Sequence, residues 1–130
     1  MIVDSSVLIA ILREESDARS FTQALEDADD IKISAATLFE ASIAADGMQD
    51  RDVGRRFDDI CRDSALIVVP FDAEQARIAR EAYRTFGKGS GHKARLNFGD
   101  CFAYALARVT GEPLLYKGGD FGETDVASAL

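Results

Sequence analysis

The feature that most constrains this chain is its alternation of very short apolar runs with helix-length segments. Ile2-Val3, Ile31 to Ser34, Leu66 to Val69 and Leu114 to Tyr116 read as strands. Between them stand stretches with apolar residues at helical spacing. Ser5 to Leu12 opens with polar starters; Glu15 to Asp29 is more polar; Ala35 to Asp46 is alanine-rich. Asp50 to Asp63 places Val53, Phe57 and Ile60-Cys61 on one side. Asp72 caps a helix running to about Phe86, and Gly99-Asp100 opens another that ends at Gly111. Gly87 to Gly91 reads as a flexible loop, Gly118-Gly119 as a turn, and the last residues as a short strand or helix. Strands joined through helices predict an α/β fold around a mainly parallel sheet. In such folds functional residues gather at the carboxyl ends of the strands. The β-branched run Leu66 to Val69, stopped by Pro70, reads as a buried strand.

The 130 residues form one expected domain, 1–130, with 47% hydrophobic and 29% charged residues, the range of an ordinary globular core. Cys61 and Cys101 lack CxxC spacing and read as two reduced, buried thiols. No apolar run reaches the roughly 18 residues needed to span a bilayer. The start has no basic segment or cleavage site of a signal peptide, so the expectation is a cytoplasmic protein.

A formal net charge of −8 argues against a nucleic-acid partner, but the charge is unevenly spread. Residues 14–63 hold 14 acidic and 6 basic side chains. Arg77, Arg80, Arg84, Lys88, Lys93 and Arg95 face Glu81 alone over residues 76–96. A basic stripe on an acidic body suits a phosphate backbone, though charge alone favours a solvated helix face and loop.

Four acids occupy unusual places. Asp4 is the only acid in the first 13 residues and stands where a strand stops. Glu40 is the only one from Ile31 to Ala45, inside an alanine-rich helix. Asp100 is the only one from Ala82 to Gly111, at the mouth of an apolar helix, and Asp120 follows a strand and a Gly-Gly turn. Each has an ordinary explanation: Asp4 as a helix cap, Asp100 as a partner of the helix dipole, Asp120 as a turn residue, Glu40 on a partly exposed face. Taken together, in this strand-helix order, they suggest a shared site. Carboxylates brought close repel one another, and a divalent cation removes that penalty. All-oxygen ligation suits magnesium or manganese. With a single histidine, the chain lacks the parts of a Ser/His/Asp triad.

These residues also carry a resemblance. Ile2-Val3-Asp4-Ser5-Ser6, Glu40, Leu96-Asn97-Phe98-Gly99-Asp100-Cys101 with Phe102-Ala103-Tyr104-Ala105, and Leu114 to Phe121 with Thr124-Asp125 follow one another in order and spacing over the whole chain. In this the chain resembles the PIN-domain ribonucleases, and within them the VapC-type toxins of toxin–antitoxin systems. The resemblance implies a three-layer sandwich with a central sheet flanked by helices. It implies hydrolysis of RNA phosphodiester bonds by water activated on Mg2+ or Mn2+. Asp4 and Asp100 would be the principal ligands, directly or through water; Glu40 would complete the acidic pocket, and Asp120 would help hold this ion or a second one. Ser6 would orient a carboxylate, with Asn97 and Thr124 supporting the site by hydrogen bonds. Arg84, Lys88, His92, Lys93, Arg95 and Lys117 would contact RNA, with loop 87–91 as a mobile lip. Lys93 departs from the proline expected in many such sequences, which puts the loop's conformation in question and leaves the acids intact. The implied partners are the RNA, a cognate antitoxin laid across the groove, and a second copy in a homodimer.

Other α/β readings fit less well. A receiver domain wants an acidic pair where Asp4 is followed by Ser5-Ser6; a haloacid-dehalogenase-type phosphatase wants a second aspartate where Ser6 stands. A cyclic-dinucleotide cyclase wants glutamate at Phe121, and Gly87 to Lys93 lacks the spacing of a P-loop. A PIN-like module that binds RNA or a partner without cutting is the remaining alternative.

Overall fold

The computed structural model describes residues 1–130. Its elements are β1 (Ile2–Val3), α1 (Ser5–Leu12), α2 (Ala18–Asp27), β2 (Lys32–Ser34), α3 (Ala35–Asp46), α4 (Arg51–Asp63), β3 (Ile67–Val69), α5 (Ala73–Phe86), α6 (Asp100–Thr110) and β4 (Leu114–Leu115), followed by a 3-10 turn at Phe121–Glu123. The four strands form one sheet in the order β3-β2-β1-β4, every neighbouring pair parallel. The expected α/β sandwich is thus present.

Strand alternation divides the interior. Ile2 faces one apolar cluster with α5, α6 and Leu114, while Val3 faces the other with α1 to α4, Ile33 and Leu115. Helices therefore cover both faces, as buried strands of alternating orientation require. Each fully buried Leu or Ile in these clusters contributes about 1.5–3 kcal/mol of transfer free energy.

The caps follow the chain's polar residues. Asp50 accepts from Asp52 N, and Asp72 from Gln75 N. Gly111 ends α6 with φ of 70°, the left-handed conformation that glycine adopts without steric cost.

Two expectations are corrected, one for β3 and one for Cys61. β3 lies at the sheet edge, with Ile67 and Val68 43% and 47% exposed, so it is not the buried strand its apolar run suggests. An edge strand has a neighbour on one side only, and composition does not reveal which strand takes that place. Cys101 is buried but Cys61 only partly so, and both are free thiols. Loop 87–91 is tied at its neck, where Lys88 N donates to Leu96 O and Leu96 N to Phe86 O.

Candidate metal and nuclease site

The site is assembled where the parallel strands end. Asp4 follows β1 directly, caps α1, and is 3% exposed. Its Oδ2 accepts from Ser6 N at 3.0 Å and from Ser6 Oγ at 2.6 Å. Ser6 Oγ in turn accepts from Lys117 N at 3.0 Å, joining this turn to the segment after β4. The capping reading of Asp4 is therefore realised.

Asp100 begins α6. Its Oδ2 accepts from Asn97 N, and its own N donates to Asn97 Oδ1, each at 2.9 Å. This reciprocal box satisfies two backbone donors of the turn leading into the helix and holds the carboxyl at its mouth. Glu40 reaches the same region from α3, where Ser5 Oγ donates to its Oε1 at 2.7 Å. A Cβ at Gly99 would lie 1.8 Å from Glu40 Oε2, so the absence of a side chain at Gly99 admits the glutamate. Asp120 heads the 3-10 turn without a side-chain capping bond.

Electrostatics ties the four acids together. Burial, and then the charges of Asp4, Asp120 and Glu40, push Asp100 up to about 6, against a lowering by its hydrogen bond with Asn97. Asp4 is also raised, by burial first and by Glu40, while its bonds with Ser6 act in the opposite direction. Like charges in a low-dielectric setting disfavour ionisation, and a nearby cation reverses that preference.

The donor set fits a hard divalent cation. Asp4 Oδ1 is buried and accepts no hydrogen bond, and every potential ligand is a carboxylate oxygen. No three His, Cys, Asp or Glu side chains stand close enough to ligate one ion together.

The supporting residues divide. Ser6 and Asn97 bond the acids directly, whereas Thr124 Oγ1 donates to Phe121 O at 2.7 Å and stabilises the 3-10 turn behind Asp120. Arg84, Lys88 and Arg95 are exposed and stand outside every ion pair of the chain. Lys93 pairs with Glu123. His92 is partly buried, accepts from Ala94 N through Nδ1 at 3.1 Å, and stands edge-on to Phe86. The Lys117 ammonium is engaged by Glu15 and Asp17, bracing the loop before Asp120 against the α1–α2 connection. Sequence reasoning passed over Ser5, Gly99 and this brace. Ser5 reads as a helix starter, and Gly99 declares its purpose only once Glu40 is placed.

The parallel α/β sandwich, with Asp4 and Asp100 at one end of its sheet, places the chain among nuclease-like α/β folds, and comparison with known proteins names the family. Residues 1–127 match the PIN domain family model, and the chain belongs to that family. It is 50% identical over 130 residues to ribonuclease VapC28 of Mycobacterium tuberculosis, covering 100% of this chain and 98% of that one. It is 44% identical over 129 residues to ribonuclease VapC42 of the same organism, covering 99% and 98%. Among solved structures it is similar to VapC20 of M. tuberculosis, a sarcin–ricin-loop-cleaving toxin, with a TM-score of 0.76, 17% identity and coverage of 97% and 95%. A toxin–antitoxin complex from Klebsiella pneumoniae gives a TM-score of 0.72 at 17% identity, covering 99% and 97%. These two share the fold. No helix is long and apolar enough to cross a membrane.

Proposed function

We propose that residues 1–130 form one domain that hydrolyses RNA phosphodiester bonds with Mg2+ or Mn2+, as the ribonuclease toxin of a VapC-type toxin–antitoxin pair. The observation that carries this reading is the placement of Asp4 directly after β1, of Asp100 at the start of α6 and of Glu40 against Gly99, with Asp4 and Asp100 both raised by burial first and by neighbouring carboxylates second. Asp4 and Asp100 would hold the ion, with Glu40 and Asp120 acting through its waters. A bound divalent ion supplies an acidified water and neutralises charge on the phosphoryl group. The protein's own work is orientation: Ser6 fixes Asp4, Ser5 fixes Glu40, and the Asn97 box fixes Asp100. Until a cation balances them, the four acids repel an anionic backbone, which makes the reaction depend on the metal.

Arg84, Lys88 and Arg95, exposed and outside every ion pair, are assigned to the phosphates, with Lys93 and His92 beside them in the chain. We assign Lys117 to bracing the Asp120 loop, since two carboxylates already engage it. A cognate antitoxin, a homodimeric state and a cytoplasmic location follow from the same reading. The antitoxin is supported by the likeness to the K. pneumoniae complex.

The test is cleavage of total cellular RNA by purified, antitoxin-free protein, with added Mg2+ or Mn2+, with EDTA, and with Asp100→Asn. Discrete fragments that need metal and vanish in the variant are expected. Fragments that persist in EDTA or in the variant would refute the mechanism, and binding without cleavage under any metal would favour a non-cutting PIN-like module.

A further inference from the structure

Three side-chain oxygens near the carboxyl ends of β1 and β2 are buried and make no hydrogen bond: Asp4 Oδ1, Ser34 Oγ and Thr37 Oγ1. A buried polar atom without a partner costs about 1–3 kcal/mol, so each calls for an explanation.

Ser34 and Thr37 both forgo the local bonds their residue types usually make. Ser34 stands at the N-cap of α3 in an extended conformation suited to capping, yet its hydroxyl makes no capping bond. The N-cap aspartates Asp4, Asp50 and Asp72 make theirs, whereas the exposed or partly exposed Asp17 and Asp120 do not; Ser34 is the buried exception. Thr37 lies inside α3, where a hydroxyl commonly bonds the carbonyl one turn back. Thr22, Ser42 and Thr110 do this at 3.0, 2.8 and 2.8 Å, but Thr37 does not.

Their placement explains where these hydroxyls are directed. Ile2 is paired with Lys32 in the parallel ladder, so Asp4 stands abreast of Ser34. Alternation from Val3 and Ile33, which enter the same cluster on the opposite face, puts Asp4 and Ser34 together on the face covered by α6. Adjacent strands lie about 4.8 Å apart. Thr37 follows one turn along α3, and Glu40 one turn beyond that, on the same side of the helix.

We propose that Ser34 is a positioning residue for Asp4, its hydroxyl donating to Asp4 Oδ1 through one internal water, with the Thr37 hydroxyl bonding the same water. The inference rests on the metal-dependent nuclease reading above. A carboxylate oxygen offers two lone-pair directions, so Oδ1 can accept from this water and still face a cation. Ser6 fastens one oxygen of Asp4 and Ser34 the other, which fixes the plane in which the carboxylate meets an ion. Partners of metal ligands of this kind typically change metal affinity or activity by about 10–100-fold when removed.

The test measures Mg2+ binding by calorimetry on wild type, Ser34→Ala and the near-isosteric Thr37→Val, alongside thermal melts without metal and steady-state RNA cleavage. Ser34→Ala is expected to bind Mg2+ about 10-fold more weakly. It should lose kcat at unchanged KM and keep the metal-free melting temperature of wild type. Thr37→Val should show the same pattern to a smaller extent. Unchanged Mg2+ affinity in both variants would overturn the proposal, as would a lowered metal-free melting temperature without an affinity change, the signature of a helix cap. Wild type that binds no Mg2+ would instead overturn the metal reading itself, and the positioning role with it.

Discussion

Replacing Asp100 with asparagine should stabilise the metal-free protein while abolishing its activity. The folded carboxyl titrates at about 6 against 3.8 for the free group. At about 1.36 kcal/mol per pH unit, that difference corresponds to about 3 kcal/mol against the ionised form. Asp100 keeps part of its surface in water, and screening reduces the usable figure to about 1–2 kcal/mol. Asparagine retains an oxygen for Asn97 N, so the box at the start of α6 survives. Losing a charge in the first turn returns about 0.3–1 kcal/mol through the helix dipole. The net expectation is about 1 kcal/mol, or roughly 3–5 °C in melting temperature for a chain of this size. Because the folded value lies above the unfolded one, wild type carries no penalty below about pH 3.8. The penalty grows between there and about pH 6 and is complete above it. Melts of both proteins in EDTA, followed by circular dichroism from about pH 4 to pH 8, read this directly. The advantage of the variant should be largest at the alkaline end and nearly gone at the acid end. Added Mg2+ should raise the melting temperature of wild type far more than that of the variant. A variant no more stable than wild type near pH 8, or one equally stabilised near pH 4, would refute the reading that burial and neighbouring charge disfavour the ionised Asp100.

Gly99→Ala should push Glu40 out of place, because its Cβ would sit 1.8 Å from Oε2. Single-turnover cleavage should fall by about 100-fold with the helical signal intact, and an unchanged rate would contradict the packing described. Ser6→Ala removes the hydroxyl shared by Asp4 and Lys117 N. It should cost about 1–3 kcal/mol in urea unfolding, whereas a neutral result would mean that water replaces the hydroxyl. Alanine at Arg84, Lys88 or Arg95 should each lower the salt dependence of RNA affinity by about one in log–log slope. Lys117→Met should leave that slope unchanged, and a reduced slope would return Lys117 to the phosphate contacts.

The sheet and the helices were legible because short apolar runs and helical spacing survive in the one-dimensional pattern. Asp4, Glu40 and Asp100 were legible for a related reason: a lone acid in an apolar stretch demands a structural cause. The edge position of β3 was hidden because Ile67 and Val68 have the composition of a covered strand, and strand order depends on crossovers that composition does not record. Ser5, Gly99 and the Lys117 brace were equally hidden. Their partners Glu40, Glu15 and Asp17 are far away in sequence, and small or paired residues announce nothing alone.

The two-residue strand β1 has a mechanical consequence. Ile2 belongs to one apolar cluster and Val3 to the other, and Asp4 is the next residue along the chain. Loosening either half of the interior therefore reaches the carboxylate through no more than two peptide links. Substitutions as distant as Phe57 or Ala103 should register as changes in catalytic geometry before they register as unfolding. The amides of Ile2 and Asp4, bonded to Pro113 O and Leu115 O, should exchange with solvent only when both halves open together.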